Sequence, residues 1–184
     1  MNSMAVADRS QTAEAKRTAG GTALDAQTFQ TEAMKLEKLL YHISWSMLSH
    51  AEDCADAVQE ALTRAWQKRD TLQSLRAFRP WLTRILYNVC VDILRARRQL
   101  MKEPLDENTI AAPPAQDLGE LREALTRLSP EQRVTVVLHY LEGYKLREIA
   151  AMLDISLNTV KSRLMYARIG MQQDLLRQEH EGRR

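Results

Sequence analysis

The sequence predicts an all-α fold of two small helical domains joined by a flexible linker. Three observations predict it. Apolar residues recur at spacings of three and four through most of the 184 residues. Aromatics make up only 5% and β-branched runs are short, while the helix formers Ala, Leu, Arg, Glu and Gln abound. Between two such periodic regions, residues 102–116 carry Pro104, Pro113 and Pro114, with four carboxylates up to Asp117 and no apolar stripe.

Taken in order, residues 1–30 mix Ala, Thr, Gln, Gly and charges without a period, and Gly20 and Gly21 break any helix, so they read as a mobile tail. A domain over 31–100 follows. Its first helix is expected from Thr31 to Leu48, with Met34, Leu36, Leu39, Leu40, Ile43 and Met47 on its apolar side and a weak break at Ser49 and His50. The next, about Asp53 to Lys68, turns Cys54, Ala57, Val58, Ala61, Leu62, Ala65 and Trp66 inward. Asp56, Gln59, Glu60, Thr63 and Arg64 lie outward, a face that spacing alone reads as solvated surface. Arg69 to Ala77 is a polar connector. Pro80 then suits the first turn of a helix, where its missing N–H is not needed. That helix carries Phe78, Leu82, Ile85, Leu86, Val89 and Ile93 as its stripe and ends in Arg95, Arg97 and Arg98. Those cations either complement the helix dipole or form a nucleic-acid groove.

Beyond the acidic linker at 101–116, a second domain is expected over 117–176 and a polar tail over 177–184. Asp117 to Leu128 reads as a helix. Ser129, Pro130 and Gln132 together make a helix start in which serine caps, proline takes the first position and glutamine closes a capping box. Val134, Val137, Leu138 and Leu141 line that helix, and Gly143 ends it through a positive φ. Leu146, Ile149, Ala150 and Leu153 then form a short stripe. At Asp154 to Ser156 the pattern breaks, because aspartate tolerates the left-handed conformation and Ser156 can cap the next helix. A second stripe runs through Val160, Leu164, Ala167 and Met171. Two short helices on a turn this tight read equally as a helix-turn-helix or as an ordinary helical hairpin with a solvated basic face, and the rest of the chain decides between them. Asn158, Lys161, Ser162, Met165 and Arg168 face away from the second stripe, with Arg163 at its edge. Amide, hydroxyl and cationic groups in that array suit base edges and phosphates in a major groove.

Charge fits two modules that each face a polyanion, and taken alone it fits two plain solvated surfaces as well. The net charge is +2 over the whole chain, but residues 35–100 carry eleven Lys and Arg against seven acids, residues 101–120 one against five, and residues 121–176 eight against six. Cys54 and Cys90 lack paired spacing, so neither a disulfide framework nor a zinc site is indicated, and no metal or other cofactor is expected. No apolar run approaches the roughly 20 residues of a membrane span. The N-terminus lacks a signal-peptide apolar core, which places the protein in the cytoplasm.

Three pieces together resemble an extracytoplasmic-function (ECF) sigma factor, a small promoter-recognition subunit of bacterial RNA polymerase. The run AEDCADAVQEALTRAW from Ala51 to Trp66 is similar to the family's region 2.2. FRPWLTRILYNVCVDILRARR, from Phe78 to Arg98, is similar to regions 2.3–2.4. LSPEQR from Leu128 to Arg133, running into the helix-turn-helix through Arg168, is similar to region 4. The resemblance covers about Lys35 to Leu175.

It implies that Asp56, Gln59 and Glu60 meet the β′ clamp of core RNA polymerase, with Trp66 in the core. The connector, through Asp70, Thr71, Ser74 and Arg76, would capture a base flipped out of the −10 element. Arg84, Asn88 and Arg95 would line that DNA, with Arg97 and Arg98 on phosphates. The linker would thread the RNA-exit path. Asn158, Thr159, Lys161, Ser162 and Arg163 would read the −35 element, Arg147 and Arg168 would hold its backbone, and the last module would also meet the β flap. An anti-sigma factor is a further implied partner, with no membrane insertion. Two positions depart from the pattern, Asp154 where the family often has glycine and Ala61 where it has a larger side chain, and neither forbids the fold. The rival readings are a polymerase-independent helix-turn-helix regulator binding an operator, which lacks an obvious dimer seam, and an enzyme. No Gly-rich phosphate loop, nucleophile elbow or metal set supports the latter.

Overall fold

A computed structural model describes residues 24–100 and 125–181. The linker at 101–116, the start of the helix expected from Asp117, most of the N-terminal tail and the last three residues lie outside the described residues. Those described form seven α-helices and no strand.

Helix α1 (Ala26–Met34) lies mostly where the tail was expected to continue, so the tail boundary at residue 30 is corrected. Asp25 caps it, accepting from the Thr28 amide and hydroxyl, each at 2.8 Å. Leu24 and Phe29 occupy the two positions of a hydrophobic staple, and Leu24 is buried. The single helix expected from Thr31 to Leu48 is two: the backbone kinks at Leu36, and α2 (Glu37–Leu48) starts afresh. This turns Leu36 into the core and leaves Met34, expected inside, 66% exposed.

Ser49 ends α2 in the left-handed conformation, at φ 62°. Helix α3 (Ala51–Gln67) buries the small side chains Cys54, Ala57, Ala61 and Ala65, which lets α4 (Phe78–Leu100) approach closely. Between them, Arg69–Thr71 and Leu75–Ala77 are single 3₁₀ turns rather than featureless connector. Trp66 is a correction, at 36% exposed instead of core. It stands one step past the buried Ala65, and is covered on its sides by Phe29, at 5.3 Å between ring centroids, and by the Arg69 guanidinium at 4.3 Å.

In the second module the predicted capping box is present: the Gln132 amide donates to Ser129 Oγ at 3.3 Å and the Ser129 amide donates to Gln132 Oε1 at 3.1 Å. Helix α5 (Pro130–Val136) widens into a π turn over Val137–Leu141 before Gly143, at φ 73°, ends it. The wider turn rotates Leu141 out, so it is 47% exposed and not part of the lining. Helix α6 (Leu146–Leu153), Asp154 at φ 56° and α7 (Leu157–Glu181) complete the helix-turn-helix. Helix α7 continues past the expected boundary at 176, since Gln, Leu, Arg and Glu are good helix formers and no Gly or Pro interrupts them.

The two modules lie against each other, α2 on α5 and α4 on α6. Arg133 fills the first of these contacts. Its guanidinium donates to the carbonyls of Leu125, Thr126 and Leu128 in its own module, and across the boundary to Ser46 O at 3.1 Å and Ser49 Oγ at 2.9 Å. Beside it, His42 Nδ1 lies 2.5 Å from Glu142 Oε1.

Candidate nucleic-acid interface

The helix-turn-helix is fixed by three local devices. Glu148 accepts from the Lys145 amide at 2.7 Å and starts α6. Asp154 supplies the left-handed turn, and the Thr159 amide donates to Ser156 Oγ at 3.0 Å, capping α7. With Val160, Leu164 and Ala167 buried against the module, the opposite face of α7 has no choice but solvent. Asn158, Lys161 and Arg168 are exposed there, as is Arg147 on α6. Thr159 and Ser162 are half-buried, and the Ser162 hydroxyl donates to Thr159 O at 3.0 Å, so part of their capacity is spent on the helix itself. Arg163 is half-buried against α4, where it donates to the Tyr87 hydroxyl at 3.4 Å.

The residues expected at a −10 segment fall in two places. Asp70, Thr71, Ser74 and Arg76 are all exposed on the loop between α3 and α4. Thr71 gives its hydroxyl proton to Lys68 O at 2.7 Å, which leaves its oxygen lone pairs to accept. On α4, Arg84, Asn88, Arg95 and Arg98 are exposed. Three of the α4 cations are already paired: Arg84 with Asp154 of the helix-turn-helix turn, Arg97 with Asp53 at the start of α3, and Arg95 with Asp92 of its own helix at 4.0 Å. A cleft of about 500 Å³ runs from the loop, at Leu75 and Arg76, to Tyr144 just ahead of α6 and Glu148 on it. Arg79 bridges it by donating to the Tyr144 hydroxyl at 3.1 Å.

Asp56, Gln59 and Glu60 stand in the open on the far side of α3. Glu60 accepts from Arg64 Nε at 2.7 Å, and Arg64 reaches Asp92 of α4 at 3.5 Å. These carboxylates, Glu60 foremost, hold the Arg64 pKa above its ordinary value. Tyr140, Met165 and Ile169 line one open cleft with Lys161 and Arg168, and Leu141 and Tyr166 are exposed as well. Cys54 and Cys90 are buried, and burial pushes both thiols up, Cys90 to about 12. Among the described residues no three His, Cys, Asp or Glu side chains come together as a metal site, and no helix is long and apolar enough to cross a membrane.

Periodicity missed the residues that join the two surfaces, Tyr87, Arg133, Tyr144 and Asp154 among them. Their partners lie 65 to 87 positions away in the chain for the bonds of Arg79, Arg163 and Arg133, and no local pattern encodes that.

The model of sigma-70 region 2 matches residues 33–99, and that of sigma-70 region 4 matches residues 118–169. The chain is 29% identical over 163 residues to the ECF RNA polymerase sigma factor SigM of Mycobacterium tuberculosis, covering 87% of this chain and 83% of the relative. It is 31% identical over 138 residues to the RNA polymerase sigma-E factor of Streptomyces coelicolor, covering 71% of this chain and 76% of that one. Among solved structures, the sigma factor RpoE in complex with the anti-sigma factor NepR from Bartonella quintana superposes with a TM-score of 0.67 at 28% identity, over 82% of this chain and 98% of that one. CnrH in complex with the cytosolic domain of CnrY superposes at 0.61 with 25% identity, over 82% and 89%.

Proposed function

The chain belongs to the sigma-70 family, as an alternative sigma subunit of the ECF type that directs transcription initiation, and we propose how its residues divide that task. The first module grips the polymerase β′ clamp through Asp56, Gln59 and Glu60. Its loop takes a flipped −10 base with Asp70, Thr71, Ser74 and Arg76, while Arg84, Asn88, Arg95, Arg97 and Arg98 follow the strand. The second module sets Asn158, Thr159, Lys161, Ser162 and Arg163 into the −35 major groove, with Arg147 and Arg168 on phosphates, and meets the β flap. The chain works as a subunit in the cytoplasm and performs no chemistry of its own.

The observation that carries this reading is the exposed polar face of α7, held outward by the buried Val160, Leu164 and Ala167. Two cations proposed for different promoter segments, Arg84 and Arg163, are each engaged across the module boundary. Promoter binding must therefore exchange those contacts for DNA, and core polymerase is proposed to separate the modules to the −35/−10 spacing. Unstacking a base costs a few kcal/mol, which the loop must offset with hydrogen bonds and stacking. The anti-sigma factor NepR bound to the solved relative RpoE supports a similar partner here that holds the readers out of use.

Transcription in vitro with core polymerase tests the reading, with start sites mapped to define the promoter. Lys161→Ala is expected to weaken the −35 element by about 1–3 kcal/mol if it touches a base edge, and to relax preference at that base only. An unchanged −35 preference in both Lys161→Ala and Arg163→Ala removes α7 as the reader.

A further inference from the structure

Helix α1 stands mostly ahead of the segment that matches region 2, which begins at residue 33, and Phe29 is its inward-facing aromatic. The Phe29 ring meets Trp66 edge-on at 5.3 Å and 73°, and Phe78 edge-on at 5.5 Å and 83°. Trp66 sits at the end of α3 and Phe78 at the start of α4, so one ring spans the two roots of the loop between them. From Phe78 the aromatic chain continues to Trp81, at 5.8 Å.

The loop has little else to fix it. Its backbone bonds are local: Thr71 to Lys68 O, Leu72 to Arg69 O and Ala77 to Ser74 O. The Arg69 guanidinium also folds back on its own root, stacking on Trp66 and donating to Trp66 O at 2.9 Å. Leu72 gives partial packing, while Leu75 is 48% exposed. Asp70, Thr71, Ser74 and Arg76 therefore take their position from how the two roots are held. T-shaped aromatic pairs have preferred geometry as well as apolar area, which makes them suitable for setting that position.

We propose that Phe29 is a positioning residue for promoter opening: by pinning Trp66 and Phe78 it holds the α3–α4 loop in the conformation that accepts a flipped base. It touches no DNA. The inference rests on the loop reading proposed above. It assigns a role to α1 that neither the family match nor the two DNA-reading helices supply.

The test uses holoenzyme assembled from full-length chain and core polymerase. Its probes are single-stranded oligonucleotides carrying the non-template −10 segment of the mapped promoter, intact or with an abasic site at each position in turn. Capture of one base should make wild type prefer intact DNA by about tenfold or more at one position, given the usual energy of holding a base on a protein surface. Phe29→Ala is expected to cut that preference at least about fivefold, with retention on core polymerase unchanged. Phe29→Leu, which fills space without a ring, is expected to give the same loss, and it carries the test should the alanine variant not fold. Retained preference in a folded variant, or an equal loss on every oligonucleotide including a scrambled one, would overturn the role of Phe29. No abasic effect in wild type sinks the loop reading itself, and this inference falls with it.

Discussion

Replacing Arg133 with methionine tests whether the two modules are held together as the structure has them. All five N–H groups of a guanidinium are accounted for at this site, by acceptors between 2.8 and 3.2 Å away. Arg133 is also buried, so its loss leaves those acceptors without solvent to replace it. Leaving several buried neutral acceptors unsatisfied, at about 1–3 kcal/mol each before relaxation, costs about 3–5 kcal/mol in all. Two of the five bonds, to Ser46 O and Ser49 Oγ, cross between modules. At about 1–1.5 kcal/mol each they contribute roughly 2–3 kcal/mol to docking, or about 30- to 150-fold in the closed-to-open ratio. The assay is energy transfer between dyes at Thr63 on α3 and Gln172 on α7, both exposed. Arg133→Met should lower transfer and, at about 2–4 °C per kcal/mol for a chain of this size, melt roughly 6–20 °C lower. Ser49→Ala removes one cross-boundary acceptor alone, so it should shift docking by about 1 kcal/mol and leave the second module's own stability unchanged. Lysine cannot substitute, because three donors on one nitrogen do not reach acceptors spread around a planar fork. If Arg133→Met keeps wild-type transfer and melting, the guanidinium does not hold the modules and the reasoning fails.

Replacing Gln59 and Glu60 together with alanine should weaken retention on core polymerase, while melting changes little. The exposed Glu60–Arg64 pair is worth only about 0.3–0.5 kcal/mol on a helix, so a lost helical signal would instead make this face structural. Alkali gives another test. Burial raises the Cys90 thiol to about 12, so the folded chain keeps a proton that the unfolded chain releases near pH 8.5–9. The stability from this group is whole below that range and declines as pH rises from about 9 towards 12. Urea unfolding across pH 8–11 should show wild type losing stability faster than Cys90→Ala, and parallel curves refute the assignment.

Much of this was legible in the residue order because it is local chemistry. The Ser129 capping box, the left-handed Asp154, the Ser156 cap, Gly143 and the α7 stripe each depend on neighbours within about one helical turn. The outward face of α7 follows from that stripe, so the exposure of Asn158, Lys161 and Arg168 is legible in the sequence alone. Errors arose where packing over distance competes with periodicity. Leu36 broke a continuous apolar stripe because its burial favoured a kink. Leu141 was rotated out by a π turn, and Trp66 was left beside a neighbour, Phe29, in a segment that showed no period.

By itself, then, the sequence determined most of the helices, the Ser129 and Ser156 caps, the helix-turn-helix and the outward face of α7, because those depend on spacing and on backbone preferences at single residues. Only the tertiary structure decided that Arg133 joins two modules, that Arg84 and Arg163 are held across their boundary, and that Phe29 braces a loop well beyond it in the chain. These are contacts between segments that the chain order leaves far apart. Their energy depends on shape and on buried polar groups finding partners, and neither quantity has a period to read.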